Sequence, residues 1–202
     1  MSRTLTRSIA LVTCLAGVAV ADDATLHARN DATPGDQGIS AQMGLSGGGD
    51  LTPGGLRVDG HYLYRLSDQD WFDGVASFTY GGNIEGCYRD RMSTMPCDHG
   101  LTSGNGVEIA ATVRRMFGTY GAFTPFGRAG VGVQIVRSGA DDVVGVALPL
   151  HVGGGLRAKV APAIAVVAQG ELTMGVGAFS RDLGAEGLFG MAFTAGAEFD
   201  LR

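Results

Sequence analysis

Between Leu148 and Met174 the residues alternate in character, one by one, through two consecutive stretches. Leu148, Leu150, Val152, Gly154 and Leu156 share one face of an extended chain, and Pro149, His151, Gly153, Gly155 and Arg157 share the other. After a tight turn at Lys159-Val160-Ala161-Pro162-Ala163 the pattern resumes, with Ile164, Val166, Ala168, Gly170, Leu172 and Met174 opposite Ala165, Val167, Gln169, Glu171 and Thr173. Successive side chains of a strand project to opposite faces, so each half has one apolar face and one small or polar face, the latter carrying Arg157 and Glu171. Leu56 to Leu66 is stricter still. Leu56, Val58, Gly60, Tyr62, Tyr64 and Leu66 stand against Arg57, Asp59, His61, Leu63 and Arg65. A strand in a water-soluble core rarely interleaves four ionisable groups with large apolar ones in this way. A sheet with hydrocarbon on one side and a polar interior on the other requires it.

Five further stretches carry the same period. Ile39, Ala41, Met43 and Leu45 alternate with Ser40, Gln42 and Gly44, and Phe72, Gly74, Ala76, Phe78 and Tyr80 form one apolar face. Val107 to Arg114 also alternates, although Ile109, Val113, Met116 and Phe117 fit a helical stripe as well, and its neighbours favour a strand. Pro125 to Ile135 and Phe193 to Arg202 join the two halves of the hairpin to complete eight strands. Between them lie loops at Gly47–Gly55, Gly81–Gly104, Arg137–Asp142 and Gly175–Gly187, alternating with tight turns. Long connections on one rim and short ones on the other predict an all-β, eight-stranded antiparallel up-and-down transmembrane β-barrel over residues 38–202. Tyr64, Trp71, Phe72, Phe117, Tyr120, Phe123 and Phe126 gather near the short-turn rim, where an interfacial girdle belongs. By alternation Trp71 points inward, so either the register slips there or its ring caps the lumen.

The start of the chain agrees with export. Arg3 and Arg7, an apolar run from Ile9 to Val18 and the small residues Ala19-Val20-Ala21 read as a signal peptide, residues 1–21, cleaved after Ala21. Cys14 follows Thr13, which argues against a lipidated cysteine at that point. Residues 22–37 are polar and aperiodic, a flexible leader. Beyond the signal no apolar run approaches the ~18 residues that a spanning helix needs. Acidic residues outnumber basic ones by 20 to 15 over the whole chain. An acidic exported chain is a poor candidate for nucleic-acid binding.

The segments Thr124-Pro125-Phe126-Gly127-Arg128-Ala129-Gly130-Val131-Gly132-Val133, Leu150-His151-Val152-Gly153-Gly154-Gly155-Leu156-Arg157, Pro162-Ala163-Ile164-Ala165-Val166 and Glu171-Leu172 resemble the OmpA/OmpX-type small outer-membrane β-barrel domains. The resemblance extends from about Ile39 to Arg202 and implies location in the outer membrane of a Gram-negative bacterium, with both ends in the periplasm. One departure is the end of the chain: such barrels commonly finish on an aromatic residue, and this one finishes Phe199-Asp200-Leu201-Arg202.

In an eight-stranded barrel the interior is only wide enough to be filled by side chains. Alternation sends Arg57, Asp59, His61, Arg65, Glu108, Arg128, Gln134, His151, Arg157, Gln169, Glu171 and Glu198 inward, where a network of ion pairs and hydrogen bonds is expected to fill the lumen. Cys87 and Cys97, in the Gly81–Gly104 loop, are expected to form a disulfide; Asp98 and His99 beside them match no common zinc spacing. Ser93, Asp98, His99 and Ser103 form the only compact grouping of nucleophile and base types, and a solvated loop accounts for them. Gly130-Val131-Gly132 opens no helix and cradles no phosphate. No cofactor, metal or catalytic set is expected. The reading is a monomeric, non-catalytic integral outer-membrane protein in contact with outer-membrane lipid and lipopolysaccharide, serving envelope integrity or meeting a surface ligand through the Gly81–Gly104 loop. Its alternatives are a lipid-modifying enzyme, a narrow ion channel and a soluble lipocalin-like binding barrel.

Overall fold

A computed structural model describes residues 34–48, 52–81, 104–138, 143–180 and 184–201. The expected signal peptide and most of the leader, both cysteines of the long loop, and Ser93, Asp98, His99 and Ser103 lie outside the described residues. Eight strands follow one another: β1 (Gln37–Gly48), β2 (Gly55–Arg65), β3 (Asp70–Tyr80), β4 (Gly104–Met116), β5 (Phe123–Ser138), β6 (Val143–Ala161), β7 (Ile164–Phe179) and β8 (Gly184–Leu201). Each pairs antiparallel with its neighbours in sequence, and β8 pairs with β1 to close the ring. The stretch around Val107–Val113, ambiguous between helix and strand, is strand: it completes ladders to β3 and β5 on both sides.

The dimensions follow from the register. Hydrogen-bonded partners lead from Gly38 through Leu63, Asp73, Thr112, Gly130, His151, Thr173 and Gly190, and return to β1 at Gly48. One circuit therefore shifts the chain by 48 − 38 = 10 residues. Ten residues of ~3.3 Å set against eight strands ~4.8 Å apart tilt the strands about 40° from the barrel axis and give a backbone radius of about 8 Å. Such a cylinder has room for side chains and little else.

Inward glycines are what let the wall curve so tightly. A Cβ on Gly44 would lie 1.8 Å from the Phe193 carbonyl oxygen, and one on Gly196 would lie 1.9 Å from that of Ala41. These two residues belong to the β1–β8 seam, where the strands cross too closely for any side chain.

At mid-height the outward face is apolar. Ile39, Met43, Val58, Phe78, Ile109, Val133, Leu150, Val152, Val166, Leu172 and Phe193 are all exposed, whereas Arg57, Arg128 and Glu171 are buried. That orientation excludes the soluble lipocalin-like barrel, whose large apolar groups must fill the middle.

Three expectations need correction. Gly175–Gly187 is not a loop: β7 runs on to Phe179 and β8 starts at Gly184. Glycine and alanine in that stretch read as turn composition, yet Val176 and Phe179 still alternate outward and inward, and the ladder carries them. Consequently only 81–103 remains long among the connections on the loop rim; 139–142 and 180–183 are as short as the turns at 66–69 and 117–122 opposite. The Lys159–Ala163 turn shrinks to Pro162-Ala163, with a register shift between Lys159 and Ala161 taking up the slack. Finally, Phe126 leaves the aromatic girdle. It is buried in the lumen on the same face as Arg128, while Tyr64, Phe117, Tyr120 and Phe123 do face out near the turn rim, joined by Phe199. Trp71 also points inward. The register is continuous through Arg65↔Trp71 and Trp71↔Arg114, so no slip occurs and the ring caps the lumen beneath the Arg65 guanidinium, 5.7 Å from its centroid.

Candidate functional site

Everything chemically distinctive among the described residues is inside the barrel. Period-2 geometry puts Arg57, Asp59, His61 and Arg65 on the inner face of β2, Asp73 on β3, Glu108 and Arg114 on β4, and Arg128 on β5. His151 on β6, Gln169 and Glu171 on β7 and Glu198 on β8 complete the ring. Space for these long side chains comes from small residues opposite them. A Cβ on Gly132 would stand 3.0 Å from His151 Nε2, and the inner faces of β5 and β6 carry glycine at Gly130, Gly132, Gly153 and Gly155. The lumen alternates large and small, as a narrow barrel must.

The pairs form a continuous file along the axis. At the turn rim Arg157 donates from Nη2 to Asp200 (3.0 Å) and from Nε to Glu198. Arg114 comes next, donating from Nη1 to Glu198 (2.8 Å) and from Nη2 to Asp73 (3.1 Å), with its guanidinium carbon 4.6 Å above the Phe126 ring. Asp73 also meets His61 Nδ1 at 2.8 Å and Arg128 Nη1 at 3.8 Å. Arg128 passes the file on to Glu171 (Nη2 to Oε2, 3.2 Å) and donates from Nη1 to Gln169.

Nearest the loop rim, His151 bridges two carboxylates, with Nδ1 3.1 Å from Glu171 and Nε2 3.2 Å from Glu108. Arg57 faces the same pair at 3.4 Å (Glu171) and 3.7 Å (Glu108) and donates to Asp59 at 2.7 Å. Above this level the inner wall turns apolar, with Val136, Ala147, Phe179 and Leu188 buried at the mouth.

Of the twelve residues expected in the lumen, Arg57, Asp59, His61, Arg65, Glu108, Arg128, Gln134, His151, Gln169, Glu171 and Glu198 are buried there. Arg157 is at the rim with a side chain 13% exposed. Arg65 and Gln134 stay outside the central file. Arg65 donates instead to the backbone carbonyls of Ser67 and Asp68 in the turn. Two central members, Asp73 and Arg114, were not among the expected residues, and both are fully buried. Alternation held enough to find them: Asp73 sits between outward Phe72 and Gly74, and Arg114 continues the Glu108, Ala110, Thr112 face.

Chemically the lumen is a self-paired charge file. Among the described residues the Thr173 hydroxyl lies 3.4 Å from His151 Nδ1, which faces Glu171 more closely at 3.1 Å. His61 Nε2 has no hydrogen-bond partner, and Ser40, its partner across the β1–β2 ladder, accepts from Gln42. Among the described residues no group of three or more His, Cys, Asp or Glu side chains is arranged to hold a metal ion, and no helix is long and apolar enough to cross a membrane.

No protein-family model matches the sequence, and no curated protein does. Solved structures do match in fold. Neisserial surface protein A is similar with a TM-score of 0.58 at 12% identity, over 84% of this chain and 98% of that one. The N-terminal β-barrel domain of Pseudomonas aeruginosa OprF is similar at 0.55 and 15%, over 83% and 98%. The outer membrane protein OprG of the same organism gives 0.53 and 12%, over 83% and 96%. All three are small outer-membrane barrels, and at these identities the likeness is one of fold.

Proposed function

We propose that this chain is a non-catalytic, monomeric integral protein of a bacterial outer membrane, in which a rigid barrel held by internal ion pairs stands among outer-membrane lipid and lipopolysaccharide. It serves envelope integrity and offers the Gly81–Gly104 connection to a ligand at the cell surface. The observation that carries this reading is the inversion of ordinary solvation: large apolar side chains are exposed along every strand while every guanidinium and carboxylate at mid-height is buried and paired. Such a surface is stable only against hydrocarbon, and a sheet in hydrocarbon must close on itself to satisfy its backbone. Structural neighbours of the same architecture, one of them named a surface protein, add support.

The test is fractionation together with gel mobility before and after boiling. Recovery in the outer-membrane fraction, with a compact unboiled form that migrates away from the boiled one, is the expected result. Recovery as a soluble protein without detergent would overturn it. The enzyme alternative is checked on the same purified sample: incubation with bacterial envelope lipids, followed by mass spectrometry, is expected to show no turnover.

A further inference from the structure

The apolar outer wall is hollowed in one place. On β2, β3 and β4 the outward positions at mid-height are Gly60, Gly74, Ala76 and Ala111. Phe78 and Val107 stand next to them on the loop side, and Phe72 and Val113 on the turn side. The hollow continues along the hydrogen-bonding direction, across β5 to Leu148 and Leu150 on β6, and encloses about 930 Å³. Four strand spacings make it about 19 Å long. The register climbs ten residues toward the loop rim in each circuit from β1 to β8, so the β6 end is the one nearer that rim.

At that end the floor is formed by Gly132 and Pro149, and there the ladder is broken. Paired residues pass from Val131↔Leu150 directly to Gln134↔Ala147. Pro149 has no N–H to give. It does pair with Gly175 of β7, and without a donor it does so only as a non-hydrogen-bonded pair, whose backbone groups point away to the other neighbour. The missing N–H is therefore the one that the Gly132 carbonyl of β5 would accept. None of the outward side chains around it, Ile109, Val131, Val133, Leu148 and Leu150, carries a donor. On the lumen side His151 faces Glu171 at 3.1 Å and Glu108 at 3.2 Å. A carbonyl without a donor is costly against hydrocarbon, where no water takes the donor's place. The groove thus carries one polar feature, an acceptor with no donor among the described residues.

A fatty acyl chain has the length and the polarity of this groove, and a hydroxyl on it would meet the carbonyl. Two outward positions along β5 from Val133, Arg137 is exposed at the loop rim, at the level of lipid head groups and with the sign that suits a phosphate. Acyl chains hydroxylated near the head, and phosphates on that head, occur together in lipid A, the anchor of lipopolysaccharide. We propose that the groove seats one hydroxylated acyl chain of lipopolysaccharide, whose hydroxyl donates to the Gly132 carbonyl and whose phosphate meets Arg137. The inference rests on the bilayer-spanning reading above and turns a general contact with lipopolysaccharide into a site.

Native mass spectrometry of full-length protein folded in detergent micelles tests it. The probes are lipid A and an analogue that differs only in lacking the acyl hydroxyls. Wild-type protein should retain one lipid A and hold the analogue about tenfold less tightly, as the loss of one neutral hydrogen bond predicts. Pro149→Ala supplies an N–H to the Gly132 carbonyl and should make the two lipids bind alike. Gly60→Phe fills the groove and should expel both, yet keep the heat-modifiable folded form, since a Cβ there meets nothing closer than the Ala76 carbonyl oxygen at 3.9 Å. Arg137→Gln should weaken both lipids equally. The proposal is overturned if wild-type protein holds the two lipids equally, or if phosphatidylglycerol without hydroxylated chains displaces lipid A at equal concentration. It is also overturned if folded Gly60→Phe or Pro149→Ala behaves as wild type. Should wild-type protein give no heat-modifiable form in detergent, the spanning reading falls instead.

Discussion

Removal of Arg114 tests the structural reading at its most sensitive point. Its side chain is fully buried, donates to both Asp73 and Glu198, and stacks over Phe126. Arg114→Ala leaves Glu198 with Arg157 alone, and Asp73 with His61 and a distant Arg128 at 3.8 Å. Stripping one partner from a buried ion pair costs about 3–5 kcal/mol, because the charge left behind is uncompensated. Lost packing of the guanidinium on Phe126 acts in the same direction. The loss is therefore expected at about 4 kcal/mol, a large share of a typical total stability. Neutralising what remains should restore much of it: Arg114→Met with Asp73→Asn and Glu198→Gln is expected to lie within about 2 kcal/mol of wild type. The assay is reversible urea unfolding in lipid vesicles. It is followed by the fluorescence of Trp71, the only tryptophan in the chain, which is the ladder partner of Arg114. If Arg114→Ala costs less than about 1 kcal/mol, the price of a solvated surface pair, the lumen is wet and the dry charge file described here is wrong.

Other outcomes follow from the wall and its connections. Gly44→Ala places a methyl group 1.8 Å from the Phe193 carbonyl oxygen and should abolish the compact unboiled gel band, whereas Gly47→Ala meets nothing within 4 Å and should leave that band unchanged. Leu172→Lys, on the outer face at mid-barrel, should lower stability by about 2–4 kcal/mol in the same unfolding assay, and Val160→Lys, at the turn rim, by no more than about 1 kcal/mol. A free-thiol assay on unreduced, denatured mature protein should find no thiol, since Cys87 and Cys97 are expected to be joined; two free thiols would refute the pairing.

The fold was legible because a two-residue period with opposite chemistry on its two faces has few physical solutions. It failed where composition stopped alternating. In Gly175-Val176-Gly177-Ala178-Phe179 the inward residues are glycines until Phe179, so the stretch looks like a loop although the ladder continues through it. Phe126 was misplaced for a related reason. An aromatic near a rim suits the headgroup level, and only the inner face it shares with Arg128, beneath Arg114, decides otherwise. Asp73 was missed because its strand announces itself by Phe72, Phe78 and Tyr80 on the outer face, and the inner face was left unread. Thr52-Pro53-Gly54 folds into the mouth against Gly48, Gly106 and Gly190, and this left no trace in the sequence: Pro-Gly-Gly says turn, and the three glycines that receive it are scattered over β1, β4 and β8.

Why the lumen carries charges at all follows from the same period. Buried ion pairs add little net stability over apolar side chains of equal volume. An apolar lumen, however, would give β2 two greasy faces, and either could meet lipid. With the present sequence a one-residue slip of β2 would turn Arg57, Asp59 and His61 into hydrocarbon and Val58, Tyr62 and Tyr64 into the lumen. At about 2–3 kcal/mol for each charged group near the middle of a bilayer, that slip costs on the order of 5 kcal/mol for β2 alone, comparable to the whole stability of many domains. The charge file thus fixes which face of each strand is inside. On this argument Arg57→Leu with Asp59→Leu and His61→Leu should retain strand content by circular dichroism, but split the single compact gel band into several. One sharp band of wild-type mobility would show that register is fixed by the turns instead.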